Sequence, residues 1–218
     1  MAEIYGFLAK GGLMMIPIAL GSVIALAIFL ERVWAMRRPA IVPDGYVDRI
    51  VELVRKGQLG EALAICRGSN SIPAARIAAR LLEDPDMDPD DAKAAAEEAG
   101  KKESSGLFRF VEALGTIASI EPLMGLLGTV FGMIRVFQQV VYSSGQGAVD
   151  PGKLANGIWV ALLTTAAGLL VAIPTYIAYK YLVGRAERLT MELEESALTV
   201  HLAMRRAPGE PGGGEELP

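Results

Sequence analysis

One carboxylate and three hydroxyls stand out because of the company they keep. Glu121 is an ionisable side chain inside a run of 22 residues, Ala113 to Ile134, that holds no other charge. Placing a charged carboxylate at the centre of a bilayer costs roughly 2.5–3.5 kcal/mol on insertion scales, so such a group is expected to carry a proton, face a polar cavity or reach the surface. Thr129 follows in the same run, and Thr164 and Thr165 lie in a second run without charge, Leu154 to Tyr179. These are a carboxyl and several hydroxyls close to mid-membrane, more polar chemistry than plain helix packing needs. The competing reading is a carboxylate near the inner end of its helix together with threonines that hydrogen-bond between helices. Other chemistry is thin. The single His201 and single Cys66 lie in cytoplasmic helical stretches without a visible partner and read as packing or surface residues. The acidic run Asp84, Asp86, Asp88, Asp90 and Asp91 lacks the Gly and terminal Glu of an EF-hand loop and reads as a solvated turn and helix start. No Cys/His cluster exists to hold a metal, and Ser22 and Ser119 have no base within any span. An intramembrane hydrolase is therefore set aside, and neither metal nor cofactor is expected.

The elements that position these residues follow from periodicity. At 100° per residue, Gly128 and Gly132 lie 20° from the Glu121 direction, Gly125 lies 40° away and Thr129 flanks at 80°. The same geometry gathers Gly157, Ala161, Thr164, Thr165, Gly168, Ala172 and Thr175 within about 50° either side of one direction. Each run thus has one small, weakly polar face, the kind that lets helices in lipid approach closely. For most of the glycines, packing within one subunit is the expected use. Pro122 leaves the Ala118 carbonyl without its helical donor, which predicts a kink lining a cavity or interface. With Thr129 and Thr165 at equal depth on antiparallel helices, Glu121 lies eight residues inward, about 12 Å.

The chain has 218 residues, of which 52% are hydrophobic and 21% charged. Its mean hydropathy is +0.36. A net charge of −4 argues against a nucleic-acid partner. A third charge-free run, Gly11 to Leu30, is 20 residues long. It is too long for a cleaved signal peptide and no small-x-small site follows, so it reads as an anchor. The expected fold is an all-α integral membrane protein with three transmembrane helices, at 11–33, 107–140 and 154–179. Nine basic residues (Arg32, Arg37, Arg38, Lys101, Lys102, Arg109, Lys180, Arg185, Arg188) flank them on one side, against Lys10, Arg135 and Lys153 on the other. The positive-inside rule then places the N-terminus outside and the C-terminus inside. On that scheme 1–10 is a periplasmic N-terminus, 34–106 a cytoplasmic helical insertion, 141–153 a periplasmic loop, 180–206 a cytoplasmic helix and 207–218 a disordered tail. Within the insertion, helices are expected at 43–56, 59–66 and 73–82, the last capped by Ser71. Another starts at Asp88-Pro89 and runs toward the second span, weakest near Gly100 and Ser104-Ser105-Gly106.

The segment from Pro122 to Ile134, PLMGLLGTVFGMI, closely resembles the signature of the ExbB/TolQ proton-channel family, to which MotA is a distant cousin. Gly157 to Pro174 is similar to the family's third-span motif, and Met15 to Leu20 with Phe29 to Arg32 resembles its first span. The resemblance implies a bacterial inner-membrane protein that forms a homo-pentamer around two helices of a single-span ExbD/TolR-like partner. Spans two and three would line the pore and span one would face lipid. The partner would bring a transmembrane Asp that takes up and releases protons, and motion would pass to a TonB- or TolA-like protein. The family's threonines fall on Thr129 and Thr165, with Thr164 adjacent and Glu121 a candidate relay. Gly125, Gly128, Gly132, Gly157, Ala161, Gly168, Pro122 and Pro174 are the expected pore-helix packing positions. One departure is clear. The family's Glu before Ala-Leu-x-x-Thr is Val160 here, five residues outward of Thr165 and roughly 20 Å from the Glu121 level. The expected function is a pore-forming stator subunit of a proton-driven motor, not an enzyme. The alternative, supported by Val160, is a non-conducting scaffold that positions the partner.

Overall fold

A computed structural model describes residues 12–143 and 150–205. The expected N-terminal segment 1–10 and tail 207–218 lie outside the described residues, as do residues 144–149 of the expected 141–153 connection. Every regular element among the described residues is helical: α1 (Met15–Ala35), α2 (Arg38–Ile41), α3 (Tyr46–Arg55), α4 (Leu59–Gly68), α5 (Pro73–Leu82), α6 (Pro89–Ser143) and α7 (Pro151–Arg205). Three of them, α1, α6 and α7, are long and apolar enough to cross a membrane. The chain divides into two compact units, Met1–Val33 with Arg109–Val183, and Trp34–Phe108 with Gly184–Pro218.

The first unit is made of α1 and the apolar parts of α6 and α7. Each helix buries one narrow stripe at three- and four-residue spacing. On α1 these are Met15, Ile18 and Ala25, and on α6 Leu114, Ala118, Glu121, Gly125 and Gly128. On α7 they are Ala161, Thr164, Gly168, Ala172 and Thr175. The remaining faces expose large apolar side chains such as Leu20, Leu26, Leu123, Val130, Leu162, Leu170 and Ile173. Small residues inside and bulky aliphatics outside is the arrangement of helices solvated by lipid. The two ends of the unit differ. At one, the Arg32 and Arg109 guanidinium groups lie 4.6 and 4.8 Å from the Phe110 ring centroid, and Lys180 lies 5.7 and 5.6 Å from the Tyr176 and Tyr179 rings. At the other, Gly12 faces Val160, and Arg135 and Lys153 border a cavity.

The second unit is a helical cluster with a conventional apolar core. α3 buries Ile50, Val51 and Val54, and α5 buries Ala74, Ala75, Ile77, Ala78, Leu81 and Leu82. Gly57, in the left-handed region at φ +73°, follows α3 and ends it where the sequence predicts a break. α7 contributes Leu189, Leu193, Ala197 and Val200. Ion pairs tie the periphery: Arg38 Nε donates to Glu192 Oε2 at 3.0 Å, and Arg76 Nε to Glu103 Oε1 at 2.7 Å. One sequence expectation needs correction. The residue before α5 is Ile72, with no side-chain cap, so Pro73 alone starts the helix and Ser71 does not cap it. α6 runs as one helix from Pro89 into the second span, as expected, and passes its weak points at Gly100 and Ser104–Gly106 unbroken; the two serine hydroxyls donate to the Lys101 and Lys102 carbonyls of the preceding turn. α7 begins at Pro151, three residues before the apolar run itself: the Asp150 carboxylate accepts the Gly152 N–H at 2.9 Å, an Asp-Pro start like that at Asp88-Pro89.

Candidate functional site

The sequence-predicted residues meet along the line where α6 and α7 run antiparallel in the first unit. Glycine makes this approach possible. A methyl group on Gly168 would sit 2.6 Å from the Glu121 carbonyl oxygen, and one on Gly132 would sit 2.7 Å from Ala161 Cβ. Gly128 is equally tight against Thr164 Cβ at 2.7 Å, Gly125 lies against the Thr164–Thr165 backbone at 3.0 Å, and Gly157 accommodates the Val136 side chain. The contacts step evenly from Val136–Gly157 to Glu121–Gly168, so this is one continuous seam. Its register sets Thr164, rather than Thr165, opposite Gly128.

The hydroxyls occupy three different settings. Thr164 is fully buried in the seam and donates to the Ala161 carbonyl at 2.7 Å. Thr165 is half-buried and donates across the seam to the Gly125 carbonyl at 3.1 Å, a bond between two spans. Thr129 is half-buried and donates to Leu126 within its own turn at 2.6 Å. Thr175, deeper on the same face of α7, donates to Val171 at 2.7 Å. Pro122 and Pro174 both lie inside continuous helices, and each removes one backbone donor there.

Glu121 is turned away from α7. Its backbone carbonyl touches Gly168, while its carboxyl lies on Gly21 of α1, where even a methyl group would collide with Oε1. Only 4% of the residue is exposed, and Oε2 is buried without a hydrogen-bond partner. Val160 stands at the opposite end of the unit, half-buried, with Cγ1 facing Gly12.

The comparisons with known proteins bear on this seam. The family model described as the MotA/TolQ/ExbB proton channel family matches residues 69–195, which include both threonine-bearing spans. The chain belongs to this family. It is 33% identical to the biopolymer transport protein ExbB-like 1 of Synechocystis over 175 residues, 80% of this chain and 68% of that one. It is 30% identical to biopolymer transport protein exbB1 of Vibrio cholerae over 197 residues, 88% and 84% of the two chains. It is also 29% identical to the Tol-Pal system protein TolQ of Pseudomonas aeruginosa over 194 residues, 81% and 80%. The MotA/TolQ/ExbB match leaves out α1, and with it Gly21.

Sequence reading missed two features. The pairing of Gly21 with Glu121 had a faint signal, a glycine breaking the bulky pattern of the first run. The cavity bordered by Arg135 and Lys153 had none, because charges at helix ends look alike whether or not they converge. Among the described residues no group of three metal-ligating side chains comes together.

Proposed function

We propose that this chain is the pore-forming stator subunit of a proton-motive-force-driven motor in the bacterial inner membrane, N-terminus outside and C-terminus inside. It works with a single-span ExbD/TolR-like partner whose transmembrane Asp carries the proton, in a homo-pentamer around the partner helices. Its output passes to a TonB- or TolA-like protein and energises transport or envelope work at the outer membrane. The family match across both threonine-bearing spans carries this reading. The glycine seam supports it physically: a rigid two-helix frame holds hydroxyls at fixed depth, and Thr165 reaches across it while its oxygen keeps lone pairs free to accept a proton donor.

The test is proton flux in liposomes that contain this chain and the partner. Thr165→Val should lower flux, Thr165→Ser should retain it, and converting the partner's Asp to Asn should abolish it. Flux indifferent to the partner's Asp would remove the stator reading. The apolar Val160 favours a second reading, a scaffold that positions the partner without conducting. Partner assembly that is intact while flux stays at background would establish it.

A further inference from the structure

At the end of the first unit that holds Gly12 and Pro151, a cavity of about 400 Å³ opens between the start of α1 and the facing ends of α6 and α7. Its floor is apolar, with Phe131, Val136 and Val160. Its rim carries Arg135 and Gln139 from α6 and Lys153 and Asn156 from α7, all exposed. No Asp or Glu is among the described residues that line it, and neither Arg135 nor Lys153 has an ion-pair partner among the described residues. Four hydrogen-bonding side chains, two of them cationic, therefore converge above a greasy trough that is continuous with the lipid-facing surface at Leu13 and Phe131.

We propose that this cavity is a binding site for an anionic phospholipid. A phosphodiester suits the rim: Arg135 can hold two of its oxygens at once, Lys153 supplies a point charge, and the two amides satisfy the glycerol or headgroup hydroxyls. The glycerol backbone and upper acyl chain lie on Val136, Val160 and Phe131. Basic pockets between membrane helices recognise lipid headgroups in this way. A free phosphate would satisfy the rim and leave the apolar floor wet, so the floor selects the lipid. Gly132 and Gly157 build the trough, since their missing side chains let α6 and α7 close beneath the rim.

Native mass spectrometry of the purified full chain in detergent tests this, with phosphatidylglycerol and phosphatidylcholine added in equal amounts. Phosphatidylglycerol should remain bound in clear preference. That preference should fall roughly tenfold or more in Arg135→Gln/Lys153→Gln, which loses both charge-assisted contacts to the phosphodiester. It should survive in Lys101→Gln/Lys102→Gln, which removes the same charge from the other unit. Val160→Phe fills the floor without touching the charges and should also weaken retention. Equal retention of phosphatidylcholine, or unchanged preference in the Arg135/Lys153 variant, overturns the proposal. Displacement by millimolar glycerol 3-phosphate, or full retention by Val160→Phe, overturns it in favour of a soluble anion.

Discussion

Glu121 was the residue the sequence could flag but not aim. Its type and its place inside an apolar run were plain, but helical angles gave only the face shared with Gly128, and that face is wide. The structure resolves the ambiguity through the two ends of the residue, the carbonyl on α7 and the carboxyl on Gly21 of α1. That contact makes a coupling prediction. Gly21→Ala should destabilise the protein by about 1–3 kcal/mol through overpacking, read as a lower melting temperature in detergent. Glu121→Ala should relieve the clash, so the double variant should recover part of the loss, a coupling of about 0.5–3 kcal/mol. Strictly additive losses would mean that the carboxyl does not rest on Gly21. Glu121→Gln keeps the shape and removes the titratable proton, so a fall in flux without a fall in melting temperature would identify a relay. His201 makes a second residue-scale prediction. Neither ring nitrogen has a hydrogen-bond partner among the described residues, and burial, aided by nearby Arg205, holds its pKa below the usual imidazole value. A depressed histidine stabilises the fold above its unfolded pKa, near 6.5, and that contribution is lost as pH falls through the lower folded value. Melting between pH 7.5 and 5 should show a decline that His201→Phe flattens. Cys66 is buried, and burial pushes its thiol above the ordinary range, in keeping with a packing role rather than chemistry.

At the scale of elements, the glycines divide by what faces them rather than by where they fall in the sequence. Gly168 has the Glu121 carbonyl and the Gly125 backbone against it, neither of which can yield, whereas nothing stands within 4 Å of a methyl on Gly106. Gly168→Ala should therefore cost about 1–3 kcal/mol and loosen the α6–α7 seam. Gly106→Ala, in the interior of α6, should stabilise by about 0.5–1 kcal/mol through helix propensity. Thermal melts of the two single variants decide it, and a matching loss for both would mean that the seam is not close-packed. This also explains what was legible beforehand. The three spans, the helical insertion and the small faces of α6 and α7 follow from run length and 3.6-residue periodicity, which are local. The antiparallel pairing followed from an even simpler fact, a short connection between two spans. The register that sets Thr164 against Gly128 was not legible, because it depends on how two backbones interlock. The start of α7 at Asp150-Pro151 was legible in principle, since the same Asp-Pro signal was read correctly at Asp88-Pro89. Hydropathy alone begins the span only at Leu154, three residues after Pro151.

At the scale of the whole molecule, sidedness is the property on which the proposed mechanism depends. The fold fixes which helix ends share a side: Arg32, Arg109 and Lys180 gather with Phe110, Tyr176 and Tyr179, while Gly12, Arg135 and Lys153 gather at the opposite end. An aromatic and basic girdle of this kind belongs at a membrane–water interface, where the rings sit at headgroup level and the cations reach past them. The rest of the basic excess, Arg37, Arg38, Lys101, Lys102, Arg185 and Arg188, flanks the girdle in sequence, and under the proposed orientation the girdle end is the cytoplasmic one, as the positive-inside rule requires. A fluorescent protein fused after Pro218 should then fluoresce in the bacterial cytoplasm, and an alkaline phosphatase fused at the same point should be inactive. The reverse result would turn the molecule over, and with it the direction in which Glu121 lies from the threonines. Because short-loop charge counts govern orientation, replacing Arg32, Arg37 and Arg38 with Gln while adding Lys beside Lys153 should produce a mixed population. A chain that kept its orientation through those changes would owe it to something other than the charges beside its spans.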